Sequence, residues 1–388
     1  MTRPRRIRIL LASLAVGALL LIGWALLEQD KPVRVHARLV APADDATGYA
    51  RAQGPRPLDF PADHGPHPDY QTEWWYYTGN LETTDGRHFG YQLTFFRRAL
   101  VPPAERQERA SSWAADQATM AHFALTDVAG RRHHAFERFS RAAAGLAGAQ
   151  SPPYRVWLED WMVEEIGAGV YRLTAAQDDL RIDLQLTDQK GPILHADGGY
   201  SQKGPDPGDA SYYISQTRLA SIGTVTLGAA TYAVDGLSWM DHEFSTSALA
   251  DDQVGWDWFA LQLDDGSDLM MFQIRRADGG LDPRSSGTLV EPDGSTRHLT
   301  SDDFTITVTA RWESPGSGAV YPSGWTASVP AADLRLEIMP YLADQELDLS
   351  IRYWEGAVRI TGQRAGRAVT GSGYVEMTGY AESMEGRF

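Results

Sequence analysis

The chain has 388 residues, 35 basic against 51 acidic side chains, a formal charge of −16 and no cysteine. At roughly 100–200 residues per domain it holds about two domains. The missing thiols exclude disulfides, thiolate metal sites and a cysteine nucleophile, and the acidic balance argues against nucleic acid as a partner.

Arg3, Arg5, Arg6 and Arg8 precede an uncharged run of 19 residues, Ile9 to Leu27. As a helix it would rise about 28 Å, close to the ~30 Å hydrocarbon core of a membrane. The arginine flank predicts a cytoplasmic N-terminus. Residues 1–30 therefore read as a signal anchor at the inner membrane, with the body in the periplasm. The alternative is a cleaved signal peptide and secretion. The length of the run and the bulky Trp24–Glu28 stretch favour the anchor. Residues 31–60, with Pro32, Pro42, Pro55 and Pro57, read as an extended linker.

The body then alternates with period two, the mark of strands. Phe89, Tyr91, Leu93 and Phe95 share one face. Leu180, Ile182, Leu184 and Leu186 do the same, as do Phe304, Ile306 and Val308, and later Leu347, Leu349 and Ile351. Asp85-Gly86, Asp265-Gly266 and Asp293-Gly294 supply turns. Helix is expected only in Ala104–Ala115 and Phe136–Leu146. A shift of 180 residues lays Leu81 on Leu261, Asp85-Gly86 on Asp265-Gly266 and Phe89 on Leu269. This faint repeat implies two similar antiparallel β-barrels, over residues 61–235 and 236–388.

No metal motif is visible: His64 and His67 fall in a Pro-rich loop, and His133-His134 would point to opposite faces of a strand. No serine nucleophile elbow and no phosphate-binding glycine loop appear, and no cofactor is implied. What stands out is carboxylates set among rings: Glu73 beside Trp75 and Tyr77, Asp241-His242-Glu243 after Trp239, Asp257 between Trp256 and Trp258, and Glu355 after Tyr353. Parity puts Asp241 and Glu243 on one face with His242 on the other, and puts Asp257 with Phe259 and Leu261. A carboxyl among apolar groups favours its neutral form and can serve as an acid near neutral pH. The plainer alternative is that these carboxyls pair with arginine or backbone donors.

These clusters carry a resemblance. His67-Pro68-Asp69-Tyr70-Gln71-Thr72-Glu73-Trp74-Trp75-Tyr76-Tyr77, Trp239–Phe244, Gly255–Phe259, Tyr353–Gly356 and Gly371–Tyr380 resemble the hydroxyneurosporene synthase (carotenoid 1,2-hydratase) superfamily, and within it the AttH-like branch of predicted secreted hydrolases. The resemblance implies two tandem lipocalin-like barrels and, in the hydratases, addition of water to a carbon–carbon double bond without a cofactor. It implies an apolar isoprenoid or lipid as ligand and, for the secreted branch, an association with ABC-type transporters. Such hydration needs a neutral acid in a dry pocket, ring faces for a cation and a placed water. Asp241, His242, Glu243 and Asp257 are the expected catalytic group, converging between two adjacent strands. Glu73, Trp75, Tyr77, Trp239, Trp256, Trp258, Tyr353 and Glu355 are expected to bind substrate. A non-catalytic hydrophobe-binding accessory of an export system and a hydrolase are the alternative readings.

Overall fold

The computed structural model describes residues 46–107, 111, 114–246, 250 and 252–384. The expected membrane anchor lies outside these residues, and no helix among those described is long and apolar enough to cross a membrane.

The period-two segments form two large antiparallel, barrel-like sheets. The first holds β1 (Thr72–Glu82), β2 (His88–Ala99), β3 (Gln117–Asp127), β4 (Arg132–Arg141), β5 (Ala147–Gln150), β6 (Arg155–Leu158), β7 (Trp161–Gly167), β8 (Val170–Gln177), β9 (Leu180–Asp188), β10 (Ile193–Leu194), β11 (Tyr200–Gln202), β12 (Ala210–Leu227) and β13 (Ala230–Ser245). The second holds β14 (Gln253–Leu263), β15 (Asp268–Arg276), β16 (Ser286–Val290), β17 (Thr296–Thr300), β18 (Thr305–Glu313), β19 (Val320–Val329), β20 (Leu334–Pro340), β21 (Glu346–Asp348), β22 (Arg352–Arg364) and β23 (Arg367–Met377).

The strand orders are β4-β3-β2-β1-β13-β12-β9-β8-β7-β6-β5 and β17-β16-β15-β14-β23-β22-β20-β19-β18. They match strand for strand over nine positions. The registers match too: Leu81 pairs with Phe89 and Tyr76 with Thr94, just as Leu261 pairs with Leu269 and Trp256 with Ile274. Both hairpins turn on a glycine of positive φ, Gly86 at 84° and Gly266 at 87°, which a side chain would strain. The 180-residue repeat is thus a repeat of structure.

Each strand turns alternate residues into its own barrel. Trp75, Tyr77, Leu81, Phe89 and Tyr91 fill the first interior; Phe259, Leu261, Trp325 and Trp354 fill the second. The opposite faces of β1, β13, β14, β15, β22 and β23 meet in a third apolar cluster that includes Tyr76, Trp239, Trp258, Phe272 and Tyr374. Polar contacts flank it: Gln262 donates to the carbonyls of Thr217 and Ser238, and Asn80 donates to that of Gly373. At one edge the backbones nearly touch, since a Cβ on Gly90 would lie 2.5 Å from that of Ala357.

Three expectations need correction. The Phe136–Leu146 segment is no helix: β4 runs through it, because Arg132–Arg141 pairs along β3. In Ala104–Ala115 the described helix is a single 3-10 turn, Pro103–Glu105. The domain boundary at 235/236 would cut β13, whose ladder to β1 and β12 extends through Ser245. The crossover therefore lies in 246–252, and the Asp241 motif ends the first barrel instead of starting the second. The described end of the linker is also packed. Ala52 is buried with Tyr212 and Phe244, and Leu58 and Phe60 lie against them.

Candidate functional site

The cavity of interest lies between the two sheets and not within either barrel, whose interiors are filled by side chains. It measures about 110 Å³ and is partly open to solvent. Trp74, Tyr76, Phe96, Trp256, Trp258 and Phe272 supply its ring faces, and Asp241, Glu243, Glu355, Glu376, His122 and Lys203 its titratable groups.

Strand pairing brings the acids together. Glu355 on β22 lies directly opposite Glu376 on β23. Two like charges at such a cross-strand pair repel; Glu355 is buried and Glu376 half-buried. Neither oxygen of Glu355 has a partner at hydrogen-bond distance and angle, although the Tyr76 and Tyr353 hydroxyls lie beside it. Burial first, and then the Glu376 carboxyl, hold its pKa well above the usual carboxylate range, against the neighbouring Tyr76 and Tyr353 hydroxyls. Glu376 accepts a hydrogen bond from Trp256 Nε1 at 3.0 Å. Burial still pushes it up to about 8, helped by Asp241. The pair therefore holds at least one proton at neutral pH.

Asp241 lies on β13, the counterpart of β23 in the first sheet, two residues from the position that matches Glu376, and its cross-strand partner is Ser215. The Ser215 hydroxyl donates to Oδ1. Trp239 Nε1 donates to the same oxygen at 2.7 Å, and the Tyr213 hydroxyl donates to Oδ2 at 2.9 Å. Burial nevertheless raises this carboxyl to about 7, against those donors and Lys203. His195 backs the set: its Nε2 lies 2.6 Å from Ser215 Oγ and its Nδ1 2.9 Å from Thr288 Oγ1 of the second sheet. Glu243 is held by Lys203 and the Ser211 hydroxyl. Burial pushes Lys203 down to about 7, against Asp241.

The expected group of four therefore splits. Asp241 and Glu243 face the cavity. His242 points the other way, and its Nε2 lies 2.8 Å from Glu73 Oε1. Asp257 points into the second barrel, where Arg275 Nε donates at 3.1 Å and the Tyr380 hydroxyl at 3.0 Å. Of the expected binding residues, Trp256, Trp258, Tyr353 and Glu355 line the cavity, and Trp239 stands behind Asp241. Glu73, Trp75 and Tyr77 do not reach it. They face the first interior, because they sit on the odd-numbered face of β1 while Trp74 and Tyr76 take the other.

Glu73 anchors a separate network at the end of the first barrel. It accepts from Arg97 Nε at 2.8 Å, from the His67 backbone N–H at 3.0 Å, and contacts His67 Nδ1 at 2.9 Å. Ligand atoms of His67, Glu73 and His242 lie within 4.8 Å of one another, a spacing a metal ion could use. The Arg97 guanidinium and the bonds within the group already account for that convergence. Arg97 and the two histidines hold Glu73 far below the usual carboxylate range despite its burial.

The site residues missed in sequence are Glu376, Tyr213, Lys203, Phe272 and His122. Glu376 lay in the Gly371–Tyr380 motif, and parity with Tyr374 was its available signal. The others come from segments whose meeting only the fold determines.

The AttH-like family model matches residues 51–380. The chain belongs to the AttH-like family. A crystal structure of an AttH candidate from Nitrosomonas europaea is 35% identical, with a TM-score of 0.74 over 85% of this chain and 99% of that one. Kievitone hydratase from Nectria haematococca is 14% identical with a TM-score of 0.64 over 86% of this chain and 98% of that one, a likeness of fold. No curated protein matches the sequence. Within the AttH-like fold described here, the ring-lined cavity between the barrels is where the carboxyls with raised pKa, Asp241, Glu355 and Glu376, collect.

Proposed function

We propose that this AttH-like protein is a hydratase-type enzyme that adds water to a carbon–carbon double bond of an apolar, isoprenoid-like substrate in the inter-barrel cavity. One observation carries the reading: Glu355 is a buried carboxyl without a hydrogen-bond partner, facing a second carboxyl in a ring-lined cavity. A scaffold carboxyl would have a donor, as Asp257 and Glu73 do.

The chemistry follows from the arrangement. Glu355 gives its proton to an alkene carbon and becomes a carboxylate. The cation left on the neighbouring carbon lies among the Trp74, Trp256 and Trp258 faces, each worth about 0.5–2 kcal/mol to a desolvated cation. A water adds its oxygen to the cation, and its surplus proton passes to the ionised form of Asp241. Transfer from there to Glu355 restores the acid, so atoms and charge balance. Asp241, with three donors and a pKa of about 7, suits the accepting role better than Glu355 or Glu376.

The test is incubation of the protein with prenylated phenols and acyclic isoprenes in oxygen-18 water, read by mass spectrometry. Labelled alcohol that is lost in Glu355→Gln supports the reading. Absence of label across the panel, with isoprenoid or lipid retained on the purified protein, would replace the enzyme by a binding protein of an export system.

A further inference from the structure

Behind the carboxyl pair, a line of polar side chains leads out of the cavity to the surface. Tyr353 precedes Glu355 by two positions on β22, so both side chains leave the strand on the face toward the first sheet. The Tyr353 hydroxyl lies 2.7 Å from Nδ1 of His122 on β3, across the junction of the sheets. Nε2 of His122 lies 3.2 Å from Oε2 of Glu137, its directly opposite neighbour on β4. That oxygen also accepts from the Ser350 hydroxyl. The side chain of Glu137 is 15% exposed and that of His122 only 1%. An enclosed imidazole thus has one nitrogen toward the cavity and the other toward a group that water reaches.

The donors and acceptors fit two mirror-image states. In one, Glu137 is ionised and accepts from Nε2–H, Nδ1 accepts the Tyr353 O–H, and the Tyr353 oxygen is open to the acid proton of Glu355. In the other, Glu137 is protonated and donates to Nε2, Nδ1–H donates to Tyr353, and Tyr353 donates to a Glu355 carboxylate. The step between Tyr353 and Glu355 is the open link, closed by a turn of the carboxyl; such bonds often tighten only with substrate bound. Other groups facing Glu355 are Glu376 from β23, Tyr76 from β1 and Tyr374. The Phe96 ring lies against His122 at 5.3 Å.

We propose that Glu137, His122 and Tyr353 form a proton relay that connects Glu355 to bulk water through the cavity wall, by way of the partly exposed Glu137. Between the two states one proton leaves Glu137 and one arrives at Glu355. His122 and Tyr353 each release one proton for the one they take, and His122 changes tautomer. The relay's use in turnover rests on Glu355 being the acid; its existence does not. The route matters because a bound apolar ligand fills the mouth and would otherwise isolate the acid from solvent.

The experiment needs no substrate. Protein carrying nitrogen-15 histidine and carboxyl-carbon-13 glutamate is titrated by NMR from about pH 3 to about pH 10, a span that covers ordinary and raised carboxyl pKa values. Ionising Glu355 turns the Tyr353 O–H from His122 Nδ1 to the new carboxylate, so the Nδ1 resonance should shift, without a change of tautomer, at the midpoint of the Glu355 carboxyl carbon. Tyr353→Phe should abolish the histidine step while the Glu355 step remains. Glu355→Gln, which cannot ionise and keeps the shape, should likewise abolish the histidine step and serves if Tyr353→Phe fails to fold. Histidine resonances that stay flat through the Glu355 titration, or a step that survives in Tyr353→Phe, overturn the relay. A failure of the alkene panel leaves this outcome untouched, so the two readings fail separately.

Discussion

Glu73 and Glu355 are both buried glutamates in the middle of sheets, each beside tryptophan and tyrosine, and they end in opposite states. Glu73 lies on the inner face of its strand, opposite Arg97 in register. It meets a guanidinium, a backbone N–H and two imidazoles, and it stays ionised. Glu355 lies on the outer face of its strand, opposite another carboxyl, and stays protonated. Aromatic neighbours do not decide which fate a buried acid takes. The cross-strand partner does.

Removing the charge should therefore have opposite consequences at the two places. The largest effect is expected for Glu73→Gln. Taking one partner from a buried ion pair costs about 3–5 kcal/mol, so the melting temperature should fall steeply. A variant as stable as wild type would mean that the network is not structural. The folded pKa of Glu73 lies below its ordinary value, so its stabilisation is present above about pH 4.5 and lost as pH falls toward the folded pKa.

For Glu355→Gln the expected loss is in turnover, roughly 100- to 10,000-fold for a general acid. Its stability should change the other way. With a folded pKa above the ordinary one, the wild-type protein loses stability as pH rises from about 4.5 upward. The substitution should raise the melting temperature at about pH 9 and leave it nearly unchanged at about pH 4. A lower melting temperature at alkaline pH would remove the distinction between the two glutamates.

Asp257→Asn sharpens the comparison from the second barrel. It leaves Arg275 without its carboxylate, at a cost of about 1–3 kcal/mol, while alkene hydration and ligand retention stay at wild-type level. Loss of turnover without loss of stability would restore Asp257 to the site. The smallest effect is expected for Trp258→Phe. It keeps a ring in the cavity wall but removes the Nε1–H that donates to Tyr213 at 2.8 Å, a bond worth about 0.5–1.5 kcal/mol. Differential scanning calorimetry with a parallel turnover assay checks both variants.

The fold was legible because a two-residue period survives in almost every strand and because the Asp-Gly turns recur at the same offset. The two barrels follow from Leu81–Phe89 and Leu261–Leu269 alone. The face of each motif residue was legible as well: parity set Asp241 and Glu243 together, His242 apart, and Asp257 with Phe259. Parity does not say which face of a strand borders the cavity, and a cavity in the barrel mouth would have selected the inner one. Glu376, Lys203 and His122 escaped for a different reason. Glu376 meets Glu355 and Lys203 meets Glu243 only through strand pairing within a sheet, and His122 meets Tyr353 only once the second sheet packs on the first. The boundary error had the same root, since β13 closes the first sheet by returning to β1.

A cavity bounded by the outer faces of two barrels has a consequence for how such a protein can diversify. Along β1, β13, β14 and β22, every second residue belongs to a barrel interior and every other one to the shared wall. Substitutions at the wall positions alter size, acidity and ring content of the cavity while the inner residues stay as they are. The duplicated sheets offer the example already in place: where the second carries Glu376 opposite Trp258, the first carries Trp239 opposite Thr78. The same two strands, read on alternate residues, can keep an inherited scaffold and drift toward a new ligand at once.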